Sequence, residues 1–263
     1  IRVFIMFHEV SVRIHDLQSL MMGCRQKSIA RRLCRNSDVL FTSIPLYARL
    51  LGSFESRTGI VPVGANIFGK RLTAPERLAL RRRFVQEPGF LVCTFGNREP
   101  ELLLEAIRRL VPEFPGLHLL VLGHNAQVAA YRSASFAHVL GPLPPEEAAA
   151  LIQASDIFVL PDPVSPGGHG GSSNKSGALA AACAAGQAII GTRGNLNNDL
   201  LRHGENIILS DGRDSRVFAR DIRTMIVSPK LRLRLKQNSA ELYDNHLRWE
   251  VIARAFLEKL HRT

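Results

Sequence analysis

Apolar segments of strand length alternate with segments of helical spacing along most of this 263-residue sequence, and this alternation constrains the fold most. The apolar runs are continuous, as in strands that are buried on both faces of a parallel sheet. The sequence therefore predicts a Rossmann-like α/β domain that begins at Gly89. Its predicted strands are "FLVCTFG", "LHLLVLGH", "HVLGPL", "DIFVLP", "AIIGT" and "NIILSD".

A shorter form of the same pattern precedes Gly89, with the strands "VFIMFHEV", "VLFTS" and "GIVPVG" and a basic amphipathic helix between the first two. We expect two Rossmann-like domains with parallel sheets, of which the first is incomplete. The predicted boundaries are 1–68 for the partial N-terminal domain, 69–88 for a linker, 89–247 for the second domain and 248–263 for a C-terminal helix.

Composition narrows the class of protein. A hydrophobic content of 46% with 22% charged residues is typical of a globular chain. No apolar run reaches the roughly 20 residues of a membrane span. The run "VFIMF" is too short for a signal peptide, and a chain that opens on Ile1 reads as the interior of a longer protein. Four cysteines without metal-ligand spacing predict reduced core residues in a cytoplasmic protein: Cys24, Cys34, Cys93 and Cys183.

Positive charge is concentrated in the first third of the chain. Up to Glu87, 15 Lys and Arg residues stand against 6 Asp and Glu, which gives +9 of the total of +11. This bias suggests contact with an anionic membrane surface, nucleic acid or a phosphorylated acceptor, and a solvated basic face is the alternative. Aromatic residues make up only 6% of the chain and no RNA-binding signature occurs, so nucleic acid ranks last.

The strongest candidate site is the stretch "GGHGGSSNKSGALAAACAAGQAII", in which a glycine and serine loop leads into a helix of small residues. The N–H groups at a helix start are unpaired and carry partial positive charge, so they suit a phosphate group. Gly177 and Ala178 allow close approach to the backbone, and Lys175 adds a full charge. The predicted loop follows a strand at the carboxyl edge of the sheet, where open α/β domains bind ligands. The alternative is a flexible glycine loop that is capped by Ser173 or Asn174.

Two familiar motifs do not fit this sequence. A nucleotide P-loop would need glycine at His169 and Asn174, and an HExxH zinc motif that starts at His8 fails at Val12. No D-x-D sequence occurs, so a metal-bridged diphosphate has no obvious ligands. We therefore predict no metal site.

Further candidate site residues follow other predicted strands, at the carboxyl edge of a sheet. His8 ends the first strand of the chain, and Arg98 follows the first strand of the second domain together with Gly96. Gly123 and His124 end the next strand. A structural histidine and a surface arginine are the alternatives for His8 and Arg98.

In this order the segments resemble the glycosyltransferases of the GT-B fold, in particular the retaining group 1 (family 4-like) enzymes, over nearly the whole chain. "MFHEV" resembles the strand and histidine late in the acceptor domain, and "GIVPVGANI" resembles the crossing into the donor domain. "LGPLPPEEAAALIQASDIFVLP" and "NKSGALAAACAAGQAIIGT" resemble the approach to the donor loop and its helix. The helix around Trp249 resembles the one that packs back on the first domain.

The resemblance implies a nucleotide-diphosphate-sugar donor and transfer to the hydroxyl of a glycan or lipid-linked acceptor, with retention and without metal or other cofactor. The donor diphosphate would lie against Ser176, Gly177 and Ala178, with Lys175 and Arg98 supplying positive charge.

His8 would be the catalytic-site residue from the first domain, near the transferred sugar. The resemblance further suggests an enzyme of the cytoplasm, where the basic helix within residues 18–35 touches anionic lipid at the inner face of the membrane; a solvated helix face is the alternative. The other donor-cleft candidates are Gly96, Gly123, His124, Ser173 and Asn174.

Three departures from the family pattern keep a second function open. The two glutamates that the family carries eight residues apart on the donor loop fall on Ser173 and Ala181, and the second glutamate normally binds ribose. The lysine that follows the family's arginine is missing, and Lys175 is its candidate substitute in a subgroup with "KSG". The first strands of the acceptor domain are absent. The alternative function is a non-catalytic GT-B module that binds nucleotide or a partner protein.

Overall fold

The computed structural model describes residues 2–10, 16–96, 100–124 and 128–261. Arg98 lies outside these ranges. The chain divides into two compact units: unit 1 comprises Ile1–Gly64 and His246–Thr263, and unit 2 comprises Ala65–Asn245. Within the described ranges, no helix is both long and apolar enough to cross a bilayer.

The elements alternate between strand and helix through most of both units. In chain order they are β1 (Phe4–Phe7), α1 (Leu17–Arg35), β2 (Val39–Thr42), α2 (Pro45–Leu50), β3 (Thr58–Ile60), α3 (Ala74–Arg81), β4 (Phe90–Phe95), α4 (Glu101–Leu110), β5 (Leu117–Leu122), α5 (Val128–Arg132), β6 (Ala137–Val139), α6 (Pro145–Ala154), β7 (Ile157–Val159), α7 (Gly177–Ala184), β8 (Ile189–Thr192), β9 (Ile208–Ser210), α8 (Ser215–Val227), α9 (Pro229–Leu242) and α10 (Trp249–His261).

Unit 1 is built on a three-stranded parallel sheet in the order β1-β2-β3. Helix α10 closes its core, because Phe256 stacks on Phe41 of β2 with ring centroids 4.2 Å apart and Ile252 joins the same apolar cluster. Gly64 is suited to this packing, since a Cβ there would lie 2.8 Å from the ring of Trp249.

Strand β3 is shorter than the predicted strand "GIVPVG" and begins earlier. Val61 still donates a backbone hydrogen bond to the carbonyl of Thr42 at 2.8 Å. The next residue, Pro62, has no N–H group to continue the ladder. The predicted end of this strand was therefore wrong.

Helix α1 begins with a capping box in which Asp16 accepts a hydrogen bond from the backbone of Ser19 at 2.6 Å. Its buried stripe includes Gly23 and Cys34. Cys24 is exposed, because one step along a helix turns a side chain by about 100° away from the buried stripe. The prediction that all four cysteines are core residues was wrong for Cys24; Cys34, Cys93 and Cys183 are buried.

Unit 2 is built on a six-stranded parallel sheet in the order β6-β5-β4-β7-β8-β9. The predicted α/β class with parallel sheets is confirmed. From β4 the chain moves outward to β6 and then returns to β7 on the other side of β4. Right-handed crossovers therefore place α4 and α5 on one face of the sheet and α6 and α7 on the other. The order of strands reverses between β4 and β7, and at such a point open α/β sheets bind ligands at the carboxyl edge.

The amino edge of this sheet is held by a buried arginine of α3. The Nε of Arg81 donates to the carboxylate of Glu87 at 2.9 Å, and its two terminal nitrogens bond Asp156 and the carbonyl of Gly89. Asp156 also accepts a hydrogen bond from the backbone N–H of Leu91 at 2.8 Å. These bonds join α3 to the starts of β4 and β7.

Candidate functional site

The carboxyl ends of β4 and β5 place two predicted glycines side by side. Phe95 pairs with Leu122 in the register, so Gly96 and Gly123 leave the sheet as neighbours. Both have positive φ values, 90° and 84°, and a Cβ on Gly123 would lie 2.9 Å from the ring of Phe95. The positive φ and the lack of room for a Cβ therefore explain why position 123 is a glycine. The next residue, His124, is exposed.

The last part of the loop after β7, residues 171–174, is buried, and hydrogen bonds tie the loop to β8. The Ser172 hydroxyl donates to the carboxylate of Asp162 at 2.7 Å, and the Thr192 hydroxyl donates to the Asp162 carbonyl at 2.8 Å. The Ser172 hydroxyl also accepts from the Thr192 N–H at 3.0 Å. Two neighbours of Ser172, Ser173 and Asn174, are buried as well. The loop is thus a hydrogen-bonded segment, in contrast to the alternative of a flexible glycine loop.

Two asparagines that follow β8, which we call the asparagine clasp (Asn195 and Asn197), hold the glycine part of the loop. Asn197 Nδ2 donates to the Ser172 carbonyl at 2.5 Å. Asn195 Oδ1 accepts from the Gly170 N–H at 3.1 Å, and its Nδ2 lies 2.9 Å from Nδ1 of His169. Sequence reasoning did not single out either asparagine, because the partners lie about 25 positions away and neither segment carries a motif.

Helix α7 begins where the clasped loop ends. Ser176 is its N-cap, and its hydroxyl accepts from the Leu179 N–H at 3.3 Å. The alternative caps, Ser173 and Asn174, are therefore wrong. Gly177 is exposed and a Cβ built on it meets no atom within 4 Å.

We call Lys175–Ala178 the helix-start site. Lys175 and Ser176 are half-buried and Ala178 is buried. The first N–H groups of a helix have no acceptor within the helix, and here open space lies over Gly177. No acidic residue occupies the first turn of α7, so the partial positive charge of the helix start is not offset there. The structure brings the predicted phosphate ligands Lys175, Ser176, Gly177 and Ala178 together at the carboxyl edge of the sheet.

The positions of the family's two glutamates are both buried. Ser173 is 3% exposed and Ala181 is 1% exposed. Asn174 is also buried: its Nδ2 donates to Asn198 Oδ1 at 3.0 Å, while its own Oδ1 has no hydrogen-bond partner among the described residues.

His8 belongs to unit 1, where it directly follows β1 and is exposed. The structure therefore agrees with its predicted place at a strand end. Its role near a transferred sugar stays a prediction.

A cavity of about 470 Å³ adjoins the start of the β7 loop. Arg213 Nε donates to Asp211 Oδ1 at 3.1 Å, and this guanidinium lowers the pKa of the Asp211 carboxyl. Arg216, which lines the same cavity, pairs with Asp214 at 3.0 Å. Nothing in the sequence marks this cavity.

Among the described residues, no three His, Cys, Asp or Glu side chains form a cluster that could hold a metal ion.

Comparison with known proteins places these features in a family. A family model described as "Glycosyl transferases group 1" matches residues 90–228. This range runs from β4 to the end of α8 and includes the helix-start site.

Two curated relatives are similar in sequence. The D-inositol 3-phosphate glycosyltransferase of Corynebacterium efficiens is 27% identical over 248 residues, which cover 82% of this chain and 55% of that protein. The lipopolysaccharide core biosynthesis glycosyltransferase LpsE of Rhizobium meliloti is 25% identical over 243 residues, which cover 86% of this chain and 65% of that protein. The chain thus spans between about half and two thirds of the length of these relatives.

Solved structures share the fold. HepE of Anabaena in complex with UDP and glucose superposes with a TM-score of 0.75 at 15% identity, covering 100% of this chain and 72% of that one. WaaG, a glycosyltransferase involved in lipopolysaccharide biosynthesis, gives a TM-score of 0.74 at 14% identity, covering 96% and 73%. The predicted GT-B fold is confirmed. Because more than half of its residues lie inside the family match, the chain belongs to the group 1 glycosyl transferases.

Proposed function

We propose that the protein is a glycosyltransferase that moves a sugar from a nucleotide-diphosphate-sugar to an acceptor hydroxyl, with retention and without a metal ion. The observation that carries this proposal is the helix-start site, where Lys175 flanks an open and exposed Gly177. Membership of the family and the UDP in the HepE complex support it.

The helix-start site has the chemistry to stabilise a diphosphate leaving group. When the bond between sugar and diphosphate breaks, negative charge grows on the terminal phosphate. The N–H groups of Gly177 and Ala178 and the ammonium of Lys175 would stabilise that charge without reorganising, which is how preorganised donors lower a barrier. Ser172 and the asparagine clasp fix the loop in front of α7, so the donors would be in place before the substrate arrives.

We propose that the predicted domains bind different substrates. Residues 89–247 would bind the donor and residues 1–68 the acceptor, with 69–88 as the linker and 248–263 as the helix that packs on the first domain. Arg98 would add charge to the diphosphate, and His8 would contact the transferred sugar. Gly96, Gly123, His124, Ser173 and Asn174 would border the donor cleft.

We also propose a glycan or lipid-linked acceptor and a place at the cytoplasmic face of a membrane. The first turns of α1 expose apolar side chains, with Leu17 at 73% and Met21 at 62%. Its later turns carry exposed arginines, including Arg25 and Arg32. A helix that combines exposed apolar and basic residues suits an anionic lipid surface.

A non-catalytic GT-B module that binds nucleotide or a partner protein is the second candidate function. The burial of Ser173 and Ala181 favours it, because neither position offers a side chain to a ribose. Such a module would bind nucleotide or a partner protein and would transfer no sugar.

The experiment that tests the proposal is a thermal-shift panel with UDP, GDP, ADP and their glucose conjugates, on the wild-type chain and on Lys175→Ala. The exposed Lys230→Ala on α9 is the matched control. A ligand at 100 times its Kd stabilises the folded state by about 2.7 kcal/mol. We expect a shift with one nucleotide series that is lost in Lys175→Ala and kept in Lys230→Ala.

Failure of every nucleotide to shift the folded wild-type chain would overturn the donor site. Release of nucleoside diphosphate from a nucleotide-sugar in the presence of glycan acceptors separates the two functions. Binding without such release in the whole protein would favour the non-catalytic module.

A further inference from the structure

A second pocket, which we call the amino-edge pocket, lies at the opposite end of the unit 2 sheet from the helix-start site. Helix α7 carries the chain from the carboxyl edge to the amino edge, and Ala185 and Gly186 at its end line the pocket. Gln153, in the last turn of α6, lines it as well. The volume of about 430 Å³ lies in the range of small-ligand sites.

Three cations line the amino-edge pocket: Arg71, Arg77 and Lys236. In the part of the chain that the structure describes, no carboxylate forms an ion pair with any of them. Two acidic residues also line the pocket: Glu241 of α9 and Asp244, which follows α9. The lining therefore carries an excess of positive charge.

The surroundings of Lys236 disfavour its charged form. Burial is the largest cause that lowers its pKa, to about 8, and the opposing attraction of Asp156 is outweighed. Arg77, Arg232 and Arg81 lower the pKa of Lys236 further. An anion in the pocket would stabilise the ammonium group and relieve the repulsion among these cations.

The buried side-chain amide of Gln153 holds the backbone on both sides of Arg71, one of the arginines that line the pocket. Gln153 Oε1 accepts from the Leu72 N–H at 3.0 Å, and Gln153 Nε2 donates to the Lys70 carbonyl at 3.0 Å. The residue between these two contacts is Arg71. Its backbone is therefore held in place from both sides, as expected for a preformed ligand site.

We propose that the amino-edge pocket binds the phosphate group of a phosphorylated small molecule, at a site separate from the donor site. Two guanidinium groups and one ammonium match the charge and the several acceptor oxygens of a phosphate better than those of a single carboxylate. The same phosphate chemistry could come from a free phosphorylated metabolite or from a lipid headgroup, and the size of the pocket leaves room for the body of either beside the phosphate.

The test begins with sulfate, whose charge does not change across neutral pH. Sulfate binding is measured by calorimetry at pH 7 on the wild-type chain, Lys236→Met, Arg77→Gln and the matched control Lys230→Met, which alters an exposed lysine of the same helix. We expect Lys236→Met and Arg77→Gln each to weaken binding at least about tenfold, as for the loss of a charge-assisted contact. Lys230→Met should bind as the wild-type chain does.

Two further measurements complete the test. A comparison of two phosphorylated ligands identifies the source of the phosphate group, and the pH dependence of sulfate binding tests the role of Lys236. Binding of glycerol 3-phosphate with no binding to phosphatidic acid vesicles identifies a free metabolite, and the reverse identifies a lipid headgroup. Wild-type affinity for sulfate should also fall as the pH rises through about 8, where Lys236 loses its proton. Equal, weak sulfate binding by all four proteins would overturn the proposal. Arg77→Gln, at an exposed position, provides a second test that does not depend on a change at Lys236.

Discussion

The hydroxyl of Ser172 donates a 2.7 Å hydrogen bond to the carboxylate of Asp162, and both residues are buried. Because the same hydroxyl accepts the N–H of Thr192, Ser172→Ala removes partners from two buried groups. We expect it to lower the free energy of unfolding by about 1–3 kcal/mol. Urea denaturation measures the loss, and Ser133→Ala, at an exposed position in the turn after α5, is the control. An unchanged midpoint would mean that the loop is not held through this bond.

Lys236 should reduce stability at neutral pH. Its pKa in the folded chain is about 8 instead of 10.5, so between these values the unfolded chain binds more protons and stability rises with pH. We expect Lys236→Met to be more stable than wild type at pH 7 by about 1–3 kcal/mol, with the gain shrinking as the pH approaches 10. Equal stability of the two proteins at pH 7 would show that Lys236 is well solvated.

Two histidines on neighbouring strands should make the sheet sensitive to acid. Nε2 of His138 lies 3.1 Å from Nδ1 of His118, and burial, followed by the nearby His138, lowers the pKa of His118 below 6.5. The unfolded chain therefore binds more protons just below pH 6.5, and stability falls as the pH drops through that range. We expect His118→Gln to flatten the decline of Tm between about pH 7 and 5, whereas the exposed His261→Gln should not.

Helix α1 should bind anionic vesicles. The double variant Leu17→Glu, Met21→Glu adds charge to the most exposed apolar side chains of this helix, and we expect it to reduce co-sedimentation with phosphatidylglycerol vesicles at least about tenfold. Leu257→Glu, at an exposed position of α10, is the control. Binding of the wild-type chain should weaken with added salt, because part of the attraction is electrostatic. Equal sedimentation of the double variant would leave α1 as a solvated helix face.

The sequence was sufficient to predict the architecture of unit 2. Continuous apolar runs such as Phe90–Phe95 and Leu117–Leu122 are long enough to identify buried strands. A small-residue helix after a polar loop was enough to indicate the helix-start site. These features are local, and local patterns are what a single sequence displays.

What could not be predicted depends on contacts between distant segments. The bond from Asn197 to the Ser172 carbonyl joins residues 25 positions apart. The amino-edge pocket combines α3 with α9, and nothing along either helix shows that Lys236 lies beside Arg77. The N-cap of α7 is Ser176, whereas Ser173 is buried in the loop that precedes it.

The most direct test of a diphosphate at the helix-start site is the affinity of Gly177→Asp for UDP, with ADP and GDP in parallel. A side chain fits there, since a Cβ meets no atom within 4 Å, and a carboxylate at a helix start stabilises the fold by about 0.3–1 kcal/mol. Gly177→Asn has the same shape without the charge. We predict a Tm at or above that of wild type for Gly177→Asp together with a nucleotide affinity at least about 100-fold lower, and a smaller loss for Gly177→Asn. Wild-type affinity in Gly177→Asp, or no binding of any of the three nucleotides by the wild-type chain, would contradict a diphosphate site at the start of α7.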